Sequence, residues 1–515
     1  MSQVAPTHLL FSAFPAWGHV RPFCILAARL VNENENIVVT MIIASMFLDK
    51  AHAEISSEFR DGASENARER IRVLSTFNLT SQEISELMKP LAETYASAYQ
   101  ALSQGSPVTC AVKGTTFDAV PAPTAVILDF FALPQLQVTR AITGRSVPIT
   151  AWITGHASSV IKIFGPESHG GRGDLGALIK AETARTGVSP EAIGEKVYNR
   201  TEGKIIKIAG LPAMYDYEYY PQKLPFEVPF SVIVSGAQAV LQDCDAVFVS
   251  SAYAFENESL AATRSWFTEE KKETYVIGPL LPLSYGTLTQ GSRGAVDIEA
   301  FLDKMHVQHG ENSVIFISFG TVFWPAAPDY VEEVIEALIE KKFPFIFCVA
   351  SPYAKVSEDL VERVKSSGLG MMTQWAPQQF ILNHRATGWF LTHCGHNGIM
   401  ESLAAGVPLV AWPFEADQPA AAAHLTENLN VAIELIEVRT GEHGLKPLLR
   451  NGRAAKGTRE AVGLEIREVI DSCRGAKGKE LRKNAEDMQS KFAEAWQDNG
   501  ISRKELRAFL GKYIY

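Results

Sequence analysis

Between Trp375 and Gln418 the chain gathers residue types that could hold a nucleotide. It reads Trp375-Ala376-Pro377-Gln378, then Thr392-His393-Cys394-Gly395-His396-Asn397-Gly398, Glu401-Ser402, Gly406-Val407-Pro408 and Glu415-Ala416-Asp417-Gln418. An apolar run at Gly388–Thr392 enters a glycine-containing turn, and a helix is expected to begin near Gly398 and stop at Gly406. A helix start presents unpaired backbone N–H groups and positive dipole character, which suits a phosphate. His393, just before that start, can donate to a second phosphate oxygen. Trp375 offers a stacking plane for a base, a contact worth about 1–3 kcal/mol in nucleic-acid systems. Glu401, about one turn into the helix, can accept from ribose hydroxyls. His384, His393, Cys394 and His396 contain a zinc-like mixture, but neighbouring residues 393 and 394 point apart and a Cys-x-x-Cys pair is missing. No metal is expected.

A second cluster lies near the N-terminus. The run Leu9–Phe14 ends in Pro15-Ala16-Trp17-Gly18-His19, and Val20-Arg21-Pro22 opens a helix, with proline expected in its first turn. His19 is thereby placed where a ring nitrogen can take a proton. Asp129 follows the apolar run Ala125–Leu128 and precedes Phe130-Phe131, a costly place for an unpaired charge. It could bond the distal nitrogen of His19, fix the tautomer and stabilise the imidazolium formed during a reaction. Its alternative is a helix N-cap.

The elements that must position these groups are short apolar strands alternating with helix-period segments. Buried strands are expected at Leu9–Phe14, Ile37–Ile43, Ala125–Leu128, Ile149–Ile153, Ala246–Ser250, Val314–Phe319, Pro344–Val349, Gly388–Thr392 and Leu409–Trp412, with helices such as Tyr330–Lys341 between them. Near-continuous apolar character points to parallel strands covered on both faces. The fold class is α/β and doubly wound, and the strand pattern occurs twice. In such sheets ligands bind where strands end and helices begin. Pro279–Asp297 lacks periodicity and is read as a linker, and Gly165–Lys223 as irregular. The expected division is 1–278, a linker at 279–298, 299–497, and a closing segment at 498–515.

At 515 residues the chain is too long for one ordinary core. Its 46% apolar and 21% charged residues are those of a globular protein rather than a disordered one. A net charge of −10 leaves no footprint for nucleic acid or an anionic membrane. The basic clusters at Arg450–Arg459 and Arg474–Lys483 are interleaved with glutamates and read as solvated helix faces. Six scattered cysteines fit reduced thiols in the cytosol. No basic n-region precedes Leu9–Phe14, and the longest nearly uncharged apolar run, Ile37–Leu48, is about half a membrane span. A cytoplasmic location without a transmembrane segment is expected.

The stretch Trp375–Gln418, matched over all 44 positions without a gap, resembles the signature box of UDP-dependent glycosyltransferases of the GT-B fold. Weaker resemblance extends to Ser318-Phe319-Gly320-Thr321, to Ile277-Gly278-Pro279-Leu280 and to the first hundred and fifty residues. The resemblance implies two Rossmann-like domains facing across a cleft. It implies a metal-independent inverting transfer of a sugar, glucose by the presence of Gln418, to a hydroxyl of a small, largely apolar acceptor. Donor contacts would come from Trp375, Ala376, Gln378, His393, His396, Asn397, Gly398, Glu401, Asp417 and Gln418, with Ser318 or Thr321 meeting leaving-group charge and Thr154 touching the sugar's outer hydroxyl. The Gly-His-x-x-Pro pattern resembles the family's catalytic histidine motif, so His19 would be the base and Asp129 its partner.

Phe14, Trp17, Phe130 and Phe131 would line the acceptor pocket, and Asn499–Ile514 resembles a closing helix that crosses back to the first domain. Two departures from the plant pattern stand inside the box: His396 replaces the usual tryptophan, and Gly398 the usual serine. Asp243-Cys244-Asp245 looks like the Asp-x-Asp metal motif of other sugar transferases, but it opens a strand where those motifs close one, so a structural role is expected. A sterol or hydroxy-fatty-acid acceptor, a UDP-sugar sensor and a sugar epimerase are the competing functions. By the same resemblance a UDP-sugar would be the co-substrate, with no cofactor, and the chain is expected to act as a monomer.

Overall fold

The computed structural model describes residues 6–59, 65–79, 81, 84–224, 229–282, 285 and 295–513. Two parallel sheets organise it. The first contains β1 (Thr7–Ser12), β2 (Ile37–Ile42), β3 (Ile71–Leu74), β4 (Ala125–Asp129), β5 (Ile149–Ile153), β6 (Ala246–Val249) and β7 (Glu273–Val276) in the order β7-β6-β5-β4-β1-β2-β3. The second contains β8 (Val314–Ser318), β9 (Phe345–Cys348), β10 (Gly370–Thr373), β11 (Thr387–Thr392), β12 (Leu409–Ala411) and β13 (Ala432–Glu434) in the order β10-β9-β8-β11-β12-β13. Every pairing within these sheets is parallel. Helices cover both faces, so the central strands are buried throughout, as Thr7–Ser12 and Thr387–Thr392 are. The architecture is the doubly wound GT-B pair read from the sequence.

Nine strands coincide with the apolar runs to within a residue or two. The other four, β3, β7, β10 and β13, are the four sheet edges. An edge strand packs against a single neighbour and can be short and mixed in character, as Glu273-Thr274-Tyr275-Val276 is, so it lacks a continuous apolar run.

The helices that matter for the site are α1 (Trp17–Glu33), α2 (Ala157–Phe164), α3 (Gln378–Asn383), α4 (His396–Ala404), α5 (Gln418–Ala423) and α6 (Ile501–Tyr513). Helix α6 lies at the C-terminal end of the chain yet adds Leu506, Phe509 and Leu510 to the core of the first sheet. Arg503 and Arg507 pair there with Glu33 at the end of α1. Gly165–Lys223 is not irregular throughout. It carries helices Leu175–Thr186 and Pro190–Tyr198, capped by the side chains of Asp174 and Ser189, the latter followed by proline at the first helical position. Most of the expected linker lies outside the described residues, and its end, Ala295–Asp297, already belongs to helix Ala295–His309.

The basic clusters also differ from a plain solvated face. Arg459 pairs with Glu333 and Glu336 of a neighbouring helix, and Arg482 donates to the Gly406 carbonyl at 2.8 Å. Arg450 pairs with Glu218 and Glu434. Among the described residues no helix is long and apolar enough to cross a membrane. All six cysteines are unpaired.

Candidate active site

The strand orders fix where the two clusters go. In the first sheet β1 has β4 on one side and β2 on the other; in the second, β8 is flanked by β9 and β11. Their following loops diverge to opposite faces and open a crevice. His19 follows β1 and Asp129 ends β4, so both sit at the first switch point. Ser318 ends β8 and His393 follows β11, at the second.

Helix α1 begins at Trp17, which puts His19 inside its first turn and Pro22 a turn further in than expected. His19 Nδ1–H donates to Asp129 Oδ2 at 2.7 Å, and the Thr154 hydroxyl lies 3.0 Å from the same nitrogen. Asp129 is fully buried, and its second oxygen accepts from the Phe131 N–H at 3.0 Å. With Nδ1 so committed, Nε2 is the nitrogen left for chemistry, on a ring 19% exposed. Phe14 and Phe131 pack on that ring with centroids 5.2 and 5.5 Å away. Phe130 lies behind them, buried against Phe131 and Phe164. Trp17 turns away toward Phe47.

Pro22 links the two clusters. Having no N–H, it cannot bond the carbonyl four residues back, that of Gly18. That carbonyl instead accepts from Asn397 Nδ2 of α4 at 2.9 Å. A Cβ at Gly18 would lie 3.3 Å from the same amide nitrogen, so glycine there permits the approach. The histidine-bearing helix start is thereby tied to the helix start proposed for the diphosphate.

On the donor side, Cys394 adopts φ +66° in the turn between β11 and α4. The turn brings His393 against Gly320, where an added Cβ would meet the ring at 2.9 Å, and against Gly395, where it would meet Nε2 at 2.6 Å. Burial pushes the His393 imidazole down to about 4, so it is neutral near pH 7 and can donate one N–H. Ser318 is buried at the end of β8, its hydroxyl 3.3 Å from the Gly320 N–H, while Thr321 is exposed. Gly398 lies in the first turn of α4; a Cβ would have ordinary contacts there, 3.4 Å to Phe390, so its lack of a hydroxyl has no steric cause.

Trp375 leaves 46% of its surface exposed, and the Lys50 ammonium lies 4.8 Å from its ring centre. Ala376 is buried. Glu401 is buried and accepts from Gln378 Nε2 at 2.6 Å and Gln379 Nε2 at 2.9 Å. It also pairs with Arg21 from α1, which holds Glu54 at 2.9 Å as well.

Asp417 precedes α5 at its N-cap position without a side-chain capping bond, and burial raises its carboxyl to about 6. Gln418 is buried, its carbonyl accepting from Phe414 N–H at 2.9 Å, which directs its amide nitrogen elsewhere. His396 meets a second histidine, His156, at 3.1 Å. The sequence reading did not select Arg21, Lys50, Gln379 or His156. Arg21 was visible inside Gly-His-x-x-Pro, and His156 two residues after Thr154. The Asp243 and Asp245 carboxylates hold Arg140 and Arg145.

A UDP-glycosyltransferase of Hericium erinaceus is 31% identical over 509 residues, covering 96% of both chains. The chain belongs to the UDP-glycosyltransferase family. Residues 294–450 also match the family model described as UDP-glucoronosyl and UDP-glucosyl transferase. A UGT transferase of Siraitia grosvenorii in complex with UDP has the same fold, with a TM-score of 0.68 at 20% identity over 99% of this chain and 100% of that one. A Phytolacca americana UGT complexed with UDP-2-fluoroglucose and pterostilbene gives 0.66 at 18% identity, covering 99% of this chain and 100% of its own. The chain is therefore a glycosyltransferase that uses a UDP-sugar. Among the described residues no group of acidic, histidine and cysteine side chains could hold a metal ion.

Proposed function

We propose that this enzyme transfers glucose from UDP-glucose to a hydroxyl of a small, largely apolar acceptor such as a phenol, by one inverting displacement that needs no metal. His19 Nε2 takes the acceptor proton, and the freed oxygen attacks the anomeric carbon. The bond to the diphosphate breaks, and UDP leaves with its electron pair. Asp129 holds the ring in the required tautomer and stabilises the imidazolium. Base assistance of this kind contributes about 10²–10⁴-fold. Trp375 stacks on uracil beside Ala376, and Gln378 and Glu401 hold the ribose. His393, Asn397, the Gly398 N–H, Ser318 and Thr321 meet the diphosphate charge. Asp417, Gln418, His396 and Thr154 face the sugar.

The observation that carries this reading is the His19–Asp129 contact on a helix start tied, through Asn397, to the donor helix. The flat aromatic faces of Phe14 and Phe131 beside His19 support a planar acceptor. The ligands of the Phytolacca relative, a UDP-glucose analogue and pterostilbene, are of the same two classes. The six unpaired cysteines support a reducing, cytosolic setting, and the enzyme is proposed to act as a monomer. The domain division proposed is 1–278 and 299–497, with 498–515 closing back on the first domain.

To test the chemistry, product formation from UDP-glucose with a mixed phenol, sterol and hydroxy-fatty-acid library is followed by mass. His19→Ala is expected to abolish transfer with UDP binding nearly intact, and Asp129→Asn to lower turnover by about 10²–10⁴-fold. Wild-type-like turnover in His19→Ala would remove His19 as the base.

A further inference from the structure

One fully buried polar atom beside the proposed sugar subsite has no partner. His156 lies between β5 and α2 with none of its surface exposed. Its Nδ1 is 3.1 Å from His396 Nδ1, with the two rings edge to face at 4.6 Å, and its own ring packs on Phe255 at 4.8 Å. Its Nε2 makes no hydrogen bond among the described residues. The nearest charged atom is Asp417 Oδ2 at 3.9 Å, too far for a direct bond. Asp417 still exposes 23% of its side chain.

Burial pushes both imidazoles down, so the pair is neutral and shares one hydrogen between its two Nδ1 atoms. We place the His156 hydrogen on Nε2, the nitrogen that faces the Asp417 oxygen. His396 Nδ1 then donates to His156 Nδ1, and His396 Nε2 accepts from the Ser250 hydroxyl at 3.2 Å. The chain of contacts ends in an N–H with nothing to give it to. An unmet buried donor is costly; Trp152, Trp324 and Trp412 have one inside the cores, whereas the His156 nitrogen faces the partly exposed Asp417 carboxylate, where a ligand could complete it. Two atoms 3.9 Å apart can both reach a single oxygen at about 2.8 Å. A hydroxyl can accept from the ring and donate to the carboxylate at once.

We propose that His156 is a specificity-determining residue of the donor site, where its Nε2–H and the Asp417 carboxylate share one hydroxyl of the UDP-bound sugar. The proposal rests on the reading of Asp417 as a sugar ligand. It assigns His396, which stands where plant relatives carry tryptophan, the task of orienting His156. The pair reads the sugar and leaves the nucleotide alone, so its loss separates sugar discrimination from UDP affinity.

The test compares kcat/KM for UDP-glucose and for its analogues deoxygenated in turn at C2, C3, C4 and C6, alongside the Kd of UDP by calorimetry. The wild type is expected to reject one analogue about tenfold or more. His156→Asn and His156→Phe are expected to lose most of that discrimination and to raise the KM for UDP-glucose about tenfold, with the Kd of UDP within about twofold of wild type. Discrimination retained in both variants overturns the proposal, as does a parallel loss of UDP affinity in a variant that melts like the wild type. Equal kcat/KM for all five sugars in the wild type overturns it without any variant. A wild type that binds no UDP and transfers no sugar overturns the donor reading as a whole, and is distinguished because it shows before any substitution.

Discussion

Asp417 is placed under opposing demands. As a sugar ligand it is most useful as a carboxylate that accepts from a hydroxyl, yet burial raises it to about 6 from an ordinary 3.8. The folded protein therefore keeps a proton that the unfolded chain releases between these values. The stability this group contributes is present below about 3.8 and is lost as pH rises through about 6. Binding has the opposite sense, because the charged form is the acceptor. The Kd for UDP-glucose is expected to rise as pH falls from 7.5 to 5, with the change centred near pH 6, and Asp417→Asn to flatten it. Calorimetry at several pH values checks this; a wild-type profile that coincides with that of Asp417→Asn would remove Asp417 from the sugar subsite. At this scale His19 and Asp129 were legible because a reactive group stood at the end of an apolar run. His156 and Arg21 were not, since each matters through a residue more than two hundred positions away in the chain.

At the scale of elements, the donor site depends on a tight crossing between the loop after β8 and the turn after β11. Gly320 has φ +74°, which other residues adopt at a cost of about 1–3 kcal/mol, and a methyl group there would press on the His393 ring. Gly320→Ala is expected to weaken UDP binding about tenfold, because small displacements of a positioned donor are expensive. The His19–Asp129 pair lies on the other sheet and should keep its pH–rate profile. Calorimetry and a pH profile read the two effects separately. Central strands were legible at this level, being continuous apolar runs. The edge strands were not, because half-covered backbone needs no such run. The first helix was misplaced by part of a turn because Pro22 reads as a first-turn proline; its interior position is tolerated since Asn397 takes the carbonyl bond that it forfeits.

For the molecule as a whole, α6 joins the last residues of the chain to the first sheet. Phe509 is fully buried, 4.5 Å from Phe248 and 5.5 Å from Tyr275 between ring centres. Phe509→Ala is expected to destabilise the N-terminal half by about 3–5 kcal/mol, the usual cost of removing a buried phenyl group. Urea unfolding followed on that half checks it, and a loss below about 1 kcal/mol would mean that α6 contributes little to that core. The pairs of Arg503 and Arg507 with Glu33 are partly exposed and add far less.

By itself the sequence determined the alternation of strand and helix, the two-sheet architecture and the loops that carry the reactive residues. Those follow from local periodicity and from motif spacing within a few dozen residues. Only the tertiary structure decided which groups meet across the cleft. It set Asn397 on the carbonyl freed by Pro22, Arg21 on Glu401, and His156 between His396 and Asp417. Each of these contacts spans the cleft between the two sheets, and their geometry depends on how the two bodies pack, which no local pattern of residues encodes.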